Sequence, residues 1–118
     1  MTIEDSFISN TGNIGIAVGP SFVGAEMVAP VENITITRNV LNKIGRIANQ
    51  SAIDLMSGIR VAAYFRASIT DNTISNTAYT GISAGEPFKS DTSSLNISRN
   101  IISFFLGLLN DGGGIYVN

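Results

Sequence analysis

The feature that most constrains the fold of this chain is a short pattern that occurs four times along it. An aliphatic residue is followed by two spacers, a turn residue, one more spacer and a second aliphatic residue. The copies span residues 3–8, 36–41, 69–74 and 97–102, and their first residues lie 33, 33 and 28 positions apart. A strand repeat of this length cannot bury its apolar side alone and must stack on its neighbours. The chain is therefore predicted to be a single array of stacked repeats.

Each repeat is predicted to contribute three short strands. Residues 33–37 alternate polar and β-branched side chains, which indicates a first strand, and a second strand starts after Asn39. The third strand starts with a small residue and an isoleucine, and the four predicted copies are residues 15–18, 52–55, 81–84 and 114–117.

An asparagine is expected to turn the chain between the first and second strands. Asn39, Asn72 and Asn100 occupy equivalent positions, and Ser6 replaces asparagine in the first repeat. Asparagine tolerates a positive φ better than other residues with a Cβ, so it can reverse a strand at low cost. Stacked copies of such side chains are also expected to hydrogen-bond from one coil to the next.

These strands predict an all-β parallel β-helix, or β-solenoid, of about four coils with three parallel sheets around an apolar interior. One column of aliphatic side chains is expected on each sheet. The three columns are Ile3, Ile36, Ile69 and Ile97; Ile8, Leu41, Ile74 and Ile102; and Ile16, Ile53, Ile82 and Ile115. Residues 1–118 are expected to form one segment of a longer β-helix without end caps of its own. Its ends would stack on the rest of a longer chain or on another copy.

Composition excludes several classes of function. The seven basic and nine acidic residues form no basic stripe, so we expect no nucleic-acid partner. The longest apolar run, residues 101–109, is far shorter than the roughly 20 residues of a membrane helix, so no membrane partner is expected. Cysteine and histidine are absent, which excludes Ser-His-Asp and Cys-His catalysis and sulfur- or imidazole-ligated zinc within this chain. No metal or other cofactor is predicted.

The repeats resemble those of right-handed parallel β-helix proteins of the pectate-lyase-like group. Residues 69–76, followed by Gly81 and Ile82, match that pattern best, and the resemblance covers essentially the whole chain. It implies a right-handed coil, a polysaccharide or oligosaccharide partner and an extracellular or periplasmic location. The group contains glycoside hydrolases, polysaccharide lyases, uronate epimerases, phage tailspikes and adhesins, so the fold alone leaves the function open.

The resemblance also suggests where a site would lie, because the substrate groove of such enzymes usually follows one sheet between flanking loops. Asp54 is the single carboxylate in the row that the predicted third strands point outward, namely Ala17, Asp54, Ser83 and Tyr116. Asp111 begins the string Asp-Gly-Gly-Gly-Ile-Tyr, which resembles a segment of many β-helix proteins grouped with glycoside hydrolases. That comparison implies a groove carboxylate at Asp111 and a sugar contact at Tyr116.

Hydrolysis of a glycosidic bond is the leading hypothesis for the function. It needs two carboxylates about 5–5.5 Å or 6.5–9.5 Å apart, and stacked coils are spaced by about 4.8 Å. Asp111, Asp54 and Glu86, which follows a predicted third strand, are the candidate catalytic residues. Tyr116, Lys89 and Arg60 are the candidate substrate-binding residues, the last two in predicted loops.

Other interpretations of these residues stay open. Each carboxylate also fits a solvated surface charge, and the Gly-rich string fits a tight turn. The loop aromatics, which include Phe104 and Phe105, either stack on sugar or pack beneath a loop. A non-catalytic scaffold, such as an adhesin, a tailspike stem or a glycan-binding module, is the first alternative function. A polysaccharide lyase that uses Lys or Arg as its base is the second.

Overall fold

The computed structural model describes residues 1–19, 30–47, 56–88, 91–108 and 112–117. Within these ranges the regular structure consists of short strands. They are β1 (Thr2–Glu4), β2 (Phe7–Ser9), β3 (Ile16–Val18), β4 (Val31–Thr37), β5 (Val40–Ile44), β6 (Ile59–Val61), β7 (Tyr64–Thr70), β8 (Thr73–Thr77), β9 (Ile82–Ala84), β10 (Ser94–Ser98), β11 (Ile101–Ser103) and β12 (Ile115–Val117).

These strands form three parallel sheets of four strands each. The first sheet has the order β1-β4-β7-β10, the second β2-β5-β8-β11 and the third β3-β6-β9-β12. Every third strand along the chain therefore returns to the same sheet, and three successive strands make one coil. The four stacked coils confirm the predicted all-β solenoid with three parallel sheets.

The interior columns of the first two sheets are confirmed residue by residue. Ile36 pairs in register with Ile3 and Ile69, and Leu41 pairs with Ile8 and Ile74. The column residues of the two middle coils are fully buried, whereas those of the first and last coils are partly buried. Complete burial of one aliphatic side chain contributes roughly 1.5–3 kcal/mol, so the middle coils hold most of the apolar stabilisation.

The third sheet corrects one sequence prediction. In the second coil its strand is β6, in which Ile59 pairs with Ile16 and Ile82, and not residues 52–55 as predicted. Ile53 and the rest of that predicted strand lie outside the described residues. Both segments fit the pattern of a small residue followed by isoleucine, but the stack requires a glycine. A Cβ at Gly58 would lie 2.6 Å from the carbonyl oxygen of Gly81, so alanine has no room there.

The corner between the first and second sheets corrects a second prediction. Positive φ values occur one residue before each predicted turn residue. They are 52° at Asp5, 54° at Arg38, 58° at Asp71 and 55° at Arg99. The asparagines that follow point inward, and Asn39 and Asn72 are almost completely buried.

The predicted hydrogen bonding between stacked asparagines is confirmed. Oδ1 of Asn72 accepts hydrogen bonds from the backbone N–H and from Nδ2 of Asn39, both at 3.0 Å, in the preceding coil. Nδ2 of Asn72 donates to the carbonyl oxygen of Ile36 at 3.0 Å. Asn100 repeats this arrangement on Asn72. A buried amide side chain supplies an acceptor and two donors, so it can satisfy several backbone groups at once.

Candidate functional site

Three of the acidic side chains at the first corner belong to ion pairs between coils. The guanidinium of Arg38 binds Asp5 through two hydrogen bonds of 2.7 and 2.8 Å and reaches Oε2 of Glu4 at 2.7 Å. Arg99 binds Asp71 in the same bidentate way, at 2.7 and 2.8 Å. These hydrogen bonds lower the pKa of Asp5 and of Asp71 below the ordinary value for aspartate. The lowered pKa keeps Asp5 and Asp71 ionised, and both serve as parts of the scaffold.

The predicted site residues are only partly within the described structure. Asp54, Lys89 and Asp111 lie outside the described residues. Glu86 is exposed just after β9, and its carbonyl oxygen accepts a hydrogen bond from the N–H of Ala63 at 2.9 Å.

The outward row of the third sheet differs from the prediction. Its members, paired in register, are Ala17, Arg60, Ser83 and Tyr116. Arg60 lies on β6 and not in a loop, and it occupies the place that was predicted for Asp54. Ala17 and Tyr116 at the two ends of the row are exposed, but Arg60 and Ser83 are only 5% and 2% exposed. The middle of this face is covered and does not form an open groove.

A cleft lies instead at the second corner, where the chain passes from the second sheet to the third. We call it the corner cleft. It has a volume of about 440 Å³ and is formed by the ends of β5 and β8 together with the segments that follow β5, β8 and β11. Its lining residues are Ile44, Gly45, Arg46, Asn76, Thr77, Ala78, Phe104, Phe105, Gly107 and Leu108.

Backbone hydrogen bonds between coils fix the walls of the corner cleft. The N–H of Ala78 donates to the carbonyl oxygen of Ile44 at 2.9 Å, which joins the second and third coils. The N–H groups of Gly107 and Leu108 donate to the carbonyl oxygens of Thr77 and Ala78, at 3.0 and 3.1 Å. The cleft is thus formed before any ligand arrives, which reduces the entropy lost on binding.

A small apolar cluster supports the cleft from below. Met56, Ala78 and Tyr79 are buried together, and Leu106 packs against them. Gly45 turns over this cluster with φ 75°, and a Cβ there would lie 2.9 Å from Cβ of Met56. The wall can approach the cluster this closely because Gly45 has no side chain.

Phe104 is the most unusual residue of the cleft. Its φ is 53°, and the equivalent positions of the other coils hold Asn10, Lys43 and Asn76 at 55°, 59° and 56°. A bulky residue is rare in this conformation, which costs of order 1–3 kcal/mol, and such residues cluster at functional sites. The ring is 77% exposed, so burial in the core does not offset this cost.

Two polar side chains complete the corner cleft. Arg46 on the second coil and Asn76 on the third are both exposed. Nδ2 of Asn76 donates to Oδ1 of Asn42 at 2.8 Å. This hydrogen bond does not involve Oδ1 of Asn76, which can accept a hydrogen bond from a ligand. Among the described residues that line the cleft there is no carboxylate. The cleft can stack a ligand on an aromatic ring and hydrogen-bond to it, and its described lining offers no general acid.

The sequence analysis named Phe104 and Phe105 as possible sugar contacts but did not predict the corner cleft. Its three walls come from segments about 30 residues apart, and only the stacking of coils brings them together. A signal was present in the sequence, since two adjacent aromatic residues follow the last second-sheet strand. The first of them occupies the position that Lys43 and Asn76 hold near the ends of β5 and β8 in the earlier coils.

No known protein family, no curated protein and no solved structure matches this chain. Within the described ranges, no helix is long and apolar enough to cross a membrane. The same part of the chain contains no group of three acidic residues placed to hold a metal ion.

Proposed function

We propose that this chain is a segment of a carbohydrate-active β-helix protein of the pectate-lyase-like kind and that its corner cleft binds a polysaccharide. Phe104 is the observation that carries the proposal. An aromatic ring that is largely exposed, and held at a conformational cost beside a cleft, serves contact with a ligand better than stability of the fold. Polysaccharide ligands imply a location outside the cytoplasm.

The composition of the cleft suits a sugar. A sugar ring has apolar C–H faces and a rim of hydroxyl groups, so it needs both an aromatic surface and hydrogen-bonding groups. Phe104 and Leu108 supply apolar surface, while Asn76 and Arg46 supply polar groups at the rim. The volume of about 440 Å³ lies within the 300–1,000 Å³ that is usual for small-molecule sites.

Binding to a panel of soluble polysaccharides and oligosaccharides, measured by calorimetry, tests this proposal. We expect Phe104→Asn to weaken binding about tenfold or more, which corresponds to about 1.4 kcal/mol. This variant is informative because asparagine occupies the same corner position in two other coils, so the fold should keep or gain stability. Phe7→Ala is the matched control, since Phe7 is also exposed, at 71%, but lies on the outer face of the second sheet.

Two results would overturn the proposal. One is that no member of a broad glycan panel binds the wild-type chain. The other is that Phe104→Asn binds every recognised glycan as tightly as the wild type does.

Hydrolysis of the bound polysaccharide is the second candidate function. Glu86, an exposed residue two positions after the end of β9 and outside the lining of the corner cleft, favours it, because hydrolysis of a glycosidic bond requires carboxyl groups. The pairing of Glu86 with Asp111 or Asp54 stays a prediction. Release of reducing ends by the wild type, and its loss in Glu86→Gln and Asp111→Asn but not in Asp91→Asn, would support hydrolysis. Unsaturated products would instead indicate a lyase, and activity unchanged in both variants would exclude these carboxylates.

A further inference from the structure

We infer that the corner cleft selects a sugar with an anionic substituent, a carboxylate, sulfate or phosphate ester, and that Arg46 binds this group. The inference rests on the proposed sugar-binding function of the cleft. It concerns the chemical class of the ligand, which the stacking surface of Phe104 does not determine.

Arg46 differs from the other arginines of the chain. Arg38 and Arg99 form the ion pairs of the first corner. Arg60 is buried on the third sheet, and Arg66 lines a separate cleft together with Glu32. Arg46 is exposed, lines the corner cleft and forms no salt bridge with any residue in the described ranges.

Within the part of the chain that the structure describes, no acidic side chain pairs with Arg46. No acidic residue occurs in the described part of the lining, and much of that lining is apolar, including Ile44, Ala78 and Leu108. The chain as a whole carries a net charge of −2, so a general attraction for polyanions is not expected. Any preference for anions would therefore arise locally, in the cleft.

The backbone holds Arg46 in place while its side chain stays available. Its N–H donates to the carbonyl oxygen of Thr11 at 3.0 Å, and the N–H of Ile47 donates to Gly12 at 3.1 Å. A guanidinium presents parallel N–H groups that match two oxygens of a carboxylate, sulfate or phosphate. An anchored arginine is therefore suited to recognise such a group by geometry as well as by charge.

The order of the three side chains along the stack defines how a ligand would lie. Arg46 is on the second coil, Asn76 on the third and Phe104 on the fourth. Two coil spacings amount to about 10 Å. A sugar ring stacked on Phe104 would point its substituent, or the next sugar unit, past Asn76 toward the guanidinium.

The test uses oligosaccharides with one backbone in four forms: neutral, carboxylated, sulfated and phosphorylated. Calorimetry on the wild-type chain should give at least a tenfold tighter Kd for one or more anionic forms than for the neutral form. The form bound most tightly identifies the anionic group. The preference should shrink with added salt, because the guanidinium is solvent-accessible.

Three variants separate recognition by Arg46 from a general effect of charge. Arg46→Gln should remove most of the anionic preference and leave the affinity for the neutral form within about twofold. The anionic preference of Arg46→Lys should lie between those of the wild type and Arg46→Gln, because lysine keeps the charge and loses the bidentate geometry. Lys43→Gln is the matched control: it removes an exposed cation from the same corner, outside the cleft lining, and should leave the preference unchanged.

The possible failures are distinguishable. Equal wild-type affinity for neutral and anionic forms, with binding that still depends on Phe104, overturns this inference and leaves the proposed function intact. Equal losses in Arg46→Gln and Lys43→Gln overturn it as well, as does binding of inorganic sulfate or phosphate as tightly as the charged sugar. If no form binds at all, the proposed function itself fails.

Discussion

At the first corner, the sequence pattern assigns two roles to asparagine: it turns the chain, and it hydrogen-bonds to the neighbouring coil. In the structure two neighbouring residues divide these roles. The residue before asparagine takes the positive φ, as at Arg38 and Asp71, while the asparagine turns inward. Conformational preference by itself favours asparagine in the left-handed region. The need to satisfy buried backbone groups outweighs that preference, since an asparagine inside the corner bonds to the coil before it.

Asn72→Ala tests this role. The side chain of Asn72 is fully buried, and alanine would leave the N–H of Asn39 and the carbonyl oxygen of Ile36 without these partners. Each unsatisfied buried group costs about 1–3 kcal/mol, so the free energy of unfolding should fall by roughly 2–5 kcal/mol. Urea denaturation measures this, with Asn33→Ala as control, because Asn33 is exposed and has no positive φ. Equal losses in the two variants would show that the buried amide has no special role.

At the scale of the strand, a column of glycines determines which segment joins the third sheet. Gly15, Gly58 and Gly81 each precede a third-sheet strand, and a Cβ on any of them would lie 2.6–2.7 Å from the carbonyl oxygen of the next glycine in the stack. A segment that starts with alanine cannot take this position without moving its neighbours apart. The register of the third sheet thus depends on close backbone contact as much as on its isoleucines.

Gly58→Ala should therefore weaken the fold. The new Cβ would meet the carbonyl oxygen of Gly81 at 2.6 Å and Cγ2 of Ile74 at 2.7 Å, and overpacking of this kind typically costs 1–3 kcal/mol. Gly107→Ala is a matched control, because its nearest contact would be the Thr77 carbonyl oxygen at 3.4 Å. Thermal unfolding of both variants gives the comparison. A melting temperature for Gly58→Ala as high as that of Gly107→Ala would contradict the close packing at this strand.

The sequence predicts the first two sheets well because their inward residues follow a fixed spacing from the asparagine. Ile36 and Leu41 illustrate this, since five positions separate them in the sequence and both are buried. The third strand is harder to place, because the gap before it varies and two segments fit the pattern. The corner cleft could not be predicted for two other reasons. Its walls come from three coils. The left-handed conformation of Phe104 cannot be inferred from the composition or from the spacing of the repeats.

For the whole molecule, charge distinguishes coils that the apolar columns leave interchangeable. Isoleucine or leucine occurs at each level of the columns on the first two sheets, so those columns would accept a shift by one coil. The first corner alternates acid and base along the stack, in the order Asp5, Arg38, Asp71 and Arg99. A stack with the repeats in another order, for example with the third coil next to the first, would set Asp5 beside Asp71 and break the bidentate pairs. The alternation therefore favours the observed order of coils.

The alternating charges of the first corner make the stability of the fold depend on pH. Because Arg38 and Arg99 lower the pKa of Asp5 and Asp71 in the folded state, these pairs stabilise the fold fully above the unfolded aspartate pKa of about 3.9. Their contribution is lost as the pH falls below that value and through the lowered pKa of the folded state. The double variant Arg38→Gln, Arg99→Gln should be less stable than the wild type at pH 7, and the two should converge below about pH 4. Urea denaturation across this range measures the difference, which added salt should reduce because the pairs are exposed. A difference that stayed constant or grew toward low pH would show that the arginines stabilise the stack by packing rather than by charge.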